Sequence, residues 1–240
     1  LRLNDWAERA DRKLIDSLNE ALDNAGQPAS GFLALTLLEN GAEGPIPTQA
    51  WVDLIALEPE AIAAQAVHTL YMLQARSVDD VTRIESRMPP DSAVASVHAI
   101  LNRFSETDDP IARGLAAKTM GYLGAEALPA LLNACQAPQS PRRELGAKGL
   151  YTYVYRRTHD SGTQAPWSPI EKGQFFQQAR PILETLLQDA DAPRTQRHAL
   201  ALIEALDTAA RPIARHVLAL VDHSDPELAR RARAVYNTLL

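Results

Sequence analysis

Four segments of this chain open alike: a proline, an alanine six places on, then apolar residues at nine, ten and thirteen. The prolines are Pro110, Pro141, Pro193 and Pro226, and the alanines are Ala116, Ala147, Ala199 and Ala232. The apolar sets are Thr119/Met120/Leu123, Leu150/Tyr151/Val154, Leu202/Ile203/Leu206 and Val235/Tyr236/Leu239, with Thr119 the weak member. Successive prolines are 31, 52 and 33 residues apart, so two of the three gaps share nearly one period. Self-similarity at that period predicts an array of helical repeats, each a unit that cannot bury its apolar face alone. The same pattern limits what can be said of function, because such arrays are most often binding surfaces.

Local chemistry supports helices at these positions. In Asp109-Pro110 and Asp225-Pro226 the Asp side chain can cap free backbone N–H groups, and Pro at the first helical position forfeits no hydrogen bond. Ser140-Pro141 is expected to do the same, whereas Ala192-Pro193 has the proline without a capping side chain. The alanine after each proline is read as the small residue where a partner helix crosses. Second helices are expected near 125–136, 173–189 and 209–222. Ala-Arg-Pro-Ile occurs at 179–182 and again at 210–213, 31 residues on, so both helices of the unit repeat.

Upstream, helical spacing predicts segments at 4–24, 30–39 and from Thr48 to Leu57, with Trp6 and Trp51 on apolar faces. A slipped copy of the repeat opens at Glu58-Pro59-Glu60 and carries Ile62, Ala63, Ala66, Val67, Leu70 and Tyr71. Val78–Met88 and Asp91–Phe104 complete the series. The division expected is a helical cap over 1–57 and a repeat array over 58–240, one continuous unit in which the array carries an inserted loop near 158–170.

These motifs resemble the HEAT-repeat family, in its short bacterial form that opens with Asp-Pro, continues through Ala/Arg-rich turns and ends on a Leu-Gly stop. Asp109-Pro-Ile-Ala-Arg113 through Tyr122-Leu123-Gly124, and Asp225-Pro-Glu-Leu-Ala-Arg230, carry the resemblance. It is good over 109–240, fair at 58–88 and weak before that. It implies an all-α solenoid of stacked antiparallel helix pairs, curved, with second helices lining a concave side.

The 52-residue gap is one repeat plus about 20 residues, a surplus lying around Arg156 to Pro169. A polar, Pro/Gly-rich loop of that length inside a compact array is uncommon unless functional or disordered. It follows Tyr151, Tyr153 and Tyr155, half of the chain's six tyrosines. Tyr and Arg are favoured at interface hot spots, so Tyr153, Tyr155, Arg156, Arg157 and Trp167 are the candidate partner-binding residues. Trp167, between two prolines, reads either as a pin for the loop or as a contact.

No catalytic residue and no metal or other cofactor is assigned from the sequence. His98, His159, Asp160 and Asp222 occur in the order used by all-helical metal phosphohydrolases, but His159-Asp160 sits in the expected loop, whereas a metal needs a rigid set of ligands. Asp222-His223-Ser224-Asp225 reads more simply as helix capping. No His-Glu pair, phosphate-binding glycine loop, nucleophile elbow or HExxH is present. Cys135, late in an apolar helix, is expected to be buried and inert. A HEAT-like DNA glycosylase would need a basic groove. Arg142, Arg143, Lys148, Arg156, Arg157, Arg194, Arg197, Arg230, Arg231 and Arg233 could supply a patch, but most belong to first helices, where bridging between repeats is the simpler role.

Charge is uneven along the chain. Residues 1–140 hold 10 Lys/Arg and 19 Asp/Glu, a balance of −9; residues 141–240 hold 14 and 11, a balance of +3; together they give the net −6. The acidic half repels nucleic acid and suits a basic partner segment, or is simply a solvated surface. No apolar run reaches the length of a membrane span. The start, Leu1-Arg2-Leu3, has no Met and no signal-peptide core and reads as trimmed, so the compartment stays open between cytoplasm and periplasm. The function expected is a non-enzymatic protein-binding module acting through its concave face and inserted loop. The alternatives are a HEAT-like glycosylase or lyase and a metal-dependent phosphohydrolase.

Overall fold

The computed structural model describes residues 90–159 and 166–240, together with Val52, Asp53, Ile55, Ala56, Ala63, Ala64, Ala66, Val67, His68 and Tyr71. The expectations at 4–24, 30–39, Trp6, Trp51 and 78–88 lie outside the described residues. Every regular element among the described residues is helical. They are α1 (Pro90–Phe104), α2 (Pro110–Tyr122), a 3₁₀ turn (Ala125–Ala127) leading into α3 (Leu128–Ala134), α4 (Ser140–Thr158) and α5 (Pro169–Gln188). Then come α6 (Pro193–Leu206), a 3₁₀ segment (Asp207–Ile213) running into α7 (Ala214–Leu218), and α8 (Pro226–Leu239).

The four prolines of the repeat stand in the first turn of α2, α4, α6 and α8. These four helices touch in order, α2 on α4, α4 on α6 and α6 on α8. The repeat alanines are the reason they can. Ala116, Ala147, Ala199 and Ala232 are all fully buried, as are the residues nine places after each proline. A methyl at the crossing lets two backbones approach where a longer side chain would need space that a close-packed interior lacks. The intervening elements form a second layer. α1 meets the 125–127 turn and α3, and α5 meets the 207–213 segment and α7.

Thr119, the weak member of the pattern, is fully buried and satisfied. Its hydroxyl hydrogen-bonds the Leu115 carbonyl at 2.9 Å and the Val67 carbonyl at 3.2 Å. The second bond ties α2 to the slipped copy upstream, where Ala63, Ala66 and Val67 are buried as its periodicity predicts. Polarity at this position joins one repeat to the preceding one.

The caps divide as their chemistry dictates. Asp109 accepts from the Ile111 N–H at 2.8 Å, and Asp225 accepts from Glu227 and Leu228 at 2.9 and 3.1 Å. Ser140 corrects the expectation: it is already inside α4, and no side chain caps that helix. The two Ala-Arg-Pro-Ile copies share a burial pattern but not a helix type. Ala179, Ile182, Ala210 and Ile213 are all buried, yet the first copy lies within α5 and the second in a 3₁₀ segment. That segment begins at Asp207, whose φ of 55° and ψ of −139° suit glycine far better than a residue with a Cβ. Asp207→Gly should therefore raise stability by about 1 kcal/mol, read from the urea midpoint at constant slope. A destabilised variant would show that the Asp side chain outweighs the strain.

Candidate binding surfaces

The structure shortens the expected loop at both ends. Arg156, Arg157 and Thr158 are the last turn of α4, and α5 begins at Pro169 rather than near 173. Arginines in a last turn suit the helix dipole. Ser168 opens α5 with a capping box: its hydroxyl accepts from Glu171 N–H, and the Glu171 carboxylate accepts from the Ser168 N–H at 2.8 Å. Ser168-Pro-Ile-Glu171 is the sequence form of that box and could have placed the helix start.

The five candidate residues have different fates. Tyr153 is buried, and its ring packs edge-on against Trp167 with centroids 5.8 Å apart. Trp167 also meets Phe175 at 5.2 Å, and its backbone N–H donates to the Arg157 carbonyl at 2.6 Å. Of the two readings of Trp167, its contacts are those of a pin, holding residue 167 against α4 and α5. The Arg156 guanidinium lies 3.7 Å over the Tyr122 ring and donates to the Gly121 carbonyl. Burial pulls its pKa below the usual arginine range, with Tyr122 opposing. Arg157 sits 5.6 Å from the Trp167 ring. Tyr155 alone presents a large exposed ring, 45% accessible, stacked on His159 at 4.0 Å.

The residues of the metal-site reading fall in separate places. His98 lines a cleft between α1 and α3, His159 stacks on Tyr155, and Asp222 lies in the turn before α8, 3.5 Å from Arg233. Asp160 lies outside the described residues. Among the described residues no group of three or more His, Cys, Asp or Glu could hold a metal ion. His223 takes the capping role, its Nδ1 accepting from the Asp225 N–H at 3.0 Å. Cys135 is buried, and burial pushes its thiol up to about 12, so little nucleophilic thiolate forms.

The cations of the first helices are largely engaged within the protein. Arg113 pairs with Glu144, Arg143 with Asp189, Arg197 with Asp225 and Glu227, Arg231 with Glu204, and Arg142 bonds Asn102. Those of Arg113, Arg197 and Arg231 bridge successive repeat helices, whereas Arg142 reaches α1 and Arg143 the turn after α5. His198 lies among the first-helix cations. Burial first, then Lys148, Arg231, Arg197 and Arg113, pull its imidazole down to about 4. Glu144 and Glu204, paired with Arg113 and Arg231, are the carboxylates of the same network. A lowered folded pKa makes its stability contribution full above 6.5 and progressively lost as pH falls towards 4, where the unfolded chain binds the proton more readily. After allowance for its residual solvent contact this is worth about 1–2 kcal/mol. An NMR titration should place the folded His198 midpoint near 4, and a midpoint near 6.5 would refute the shift.

The second layer is open between its members. Clefts of about 580, 650 and 450 Å³ lie between α1 and α3, between α3 and α5, and between α5 and α7. The first two share Gln136, Ala137 and Pro138, and the last two share Gln188. No protein-family profile and no curated protein sequence matches this chain. No helix among the described residues is long and apolar enough to cross a membrane.

Proposed function

We propose that this chain is a HEAT-like α-solenoid serving as a non-enzymatic protein-interaction module, with the second layer as its concave, partner-facing side. The carrying observation is the run of joined clefts between α1, α3, α5 and α7, lined by a mixture of polar and apolar side chains. A preformed surface of this kind binds with little ordering cost. The internal pairing of the first-helix cations leaves few of them for phosphate, which weighs against the glycosylase alternative. The separate placement of His98, His159 and Asp222 lends the phosphohydrolase no support.

At the loop, the contact proposed is the exposed Tyr155–His159 stack, since Tyr153, Arg156 and Trp167 spend their surfaces on neighbours within the protein. A basic partner segment facing the acidic N-terminal half remains part of the proposal, on the sequence charge alone. The test is affinity capture from the source cell with wild type, Tyr155→Ala and His159→Ala. A partner retained by wild type and reduced by either variant supports both the module and the loop contact. Equal retention by all three removes the loop contact, and a wild-type chain that captures no protein removes the module.

A further inference from the structure

We infer that the joined clefts hold an extended segment of a partner polypeptide, with an acidic end seated in the α5/α7 cleft; this rests on the module reading and deepens it. The lining is rich in side-chain amides. Asn133, Gln136 and Gln139 stand in the α1/α3 cleft, and Gln188 at the junction of the next two. All four are exposed, and their side chains make no hydrogen bond among the described residues. An amide side chain presents one acceptor and two donors, the complement of a peptide unit. A row of them suits a backbone with free N–H and C=O groups, as an extended chain has and a helix lacks.

The dimensions agree. Packed helices stand 8–10 Å apart and an extended chain rises about 3.3 Å per residue, so each of the α1/α3 and α5/α7 clefts takes two to three residues and the open α3/α5 gap at least as many, about eight in all.

Charge sets the direction. In the α1/α3 cleft Arg142 is held by Asn102 and Glu106 is present; in the α3/α5 cleft Arg143 is matched by Asp189. The α5/α7 cleft differs. Arg215, His216 and His223 line it, and no carboxylate does. Arg215 is exposed and makes no hydrogen bond or ion pair among the described residues. The nearby Glu184 carboxylate is taken by Arg180 at 2.9 Å. Because His223 Nδ1 accepts from a backbone N–H, its neutral ring carries the proton on Nε2 and remains a donor. Glu184 lies within electrostatic reach of Arg215 and His216, yet donors outnumber acceptors at this end of the groove, which complements a carboxylate.

Three fluorescein-labelled octapeptides test this by anisotropy: Thr-Val-Thr-Val-Thr-Val-Glu-Glu, the same peptide ending Lys-Lys, and the acidic peptide with alternate backbone N-methylation. The acidic peptide should bind below about 1 mM, and the other two at least about tenfold more weakly. Arg215→Glu, an exposed change that should leave the fold intact, should reverse the preference towards the Lys-Lys peptide. Gln136→Ala combined with Gln188→Ala should weaken the acidic peptide by about tenfold. Arg113→Ala, in the other layer, should leave binding unchanged. No binding by any peptide, equal binding by all three, or indifference to Arg215→Glu would each overturn the groove assignment. That failure is distinct from failure of the module: a partner captured equally by wild type and Arg215→Glu keeps the module and discards the groove.

Discussion

Gly121→Ala should destabilise the fold by about 3 kcal/mol or more, because the added carbon has nowhere to go. A Cβ at this position would lie 2.5 Å from Thr152 Cβ, 2.7 Å from its Cγ2 and 2.8 Å from the Gly149 carbonyl oxygen. Two of these are close to the α4 backbone and one is part of it, so no rotamer change relieves them. Nor can α4 retreat freely, because α3 and α6 also pack against it. Gly173→Ala in α5 makes the same chemical change where nothing lies within 4 Å of the new carbon. There it should stabilise by about 0.5–1 kcal/mol, the ordinary helix preference for alanine. Equilibrium urea denaturation of the two variants decides the matter. A neutral Gly121→Ala would mean that α2 and α4 are farther apart than described.

That contrast shows what the sequence discloses and what it does not. Pro110, Pro141, Pro193 and Pro226 announce helix starts through their own covalent geometry, and the alanine six places on announces a crossing through its size. Both signals are local, and the burial of Ala116, Ala147, Ala199 and Ala232 follows them. Gly121 and Gly173 look alike as letters, and only the neighbouring helix distinguishes them. Thr119 looks like a lapse until the Val67 carbonyl is placed beside it. The candidate site behaves in the same way. Tyr and Arg in series suggest a contact surface, but a ring turned inwards, as at Tyr153, is consumed by packing. One helical turn separates Tyr151 from Tyr155 and brings their rings to 5.8 Å, whereas Tyr153 points towards Trp167. The amide-lined groove had no sequence signal, because Asn133, Gln136 and Gln188 come from different elements, and single exposed amides are unremarkable anywhere in a chain.

Arg143→Ala should cost about 3 kcal/mol, more than any exposed ion pair would predict. Arg143 sits in the first turn of α4 and holds two turns at once. Its Nε and one terminal nitrogen donate to the same Asp189 carboxylate oxygen at 2.8 and 2.5 Å, beyond the end of α5. Its other terminal nitrogen donates to the carbonyls of Ala137 and Pro138 at 2.7 and 3.1 Å, beyond the end of α3. Both side chains of the pair keep under a fifth of their surface in contact with water. Truncation therefore leaves a mostly desolvated carboxylate and two carbonyls without their donor. Arg143→Lys should recover less than half of the loss, since one ammonium cannot address both turns in the geometry of a guanidinium fork. Asp189→Ala should cost less than Arg143→Ala, because the Ala137 and Pro138 bonds survive it. The double variant should give a coupling energy of about 1–3 kcal/mol. Coupling near zero would reduce the pair to a surface contact. It would also remove the physical link across the α3/α5 cleft, where the pair spans a gap that the two helices leave open.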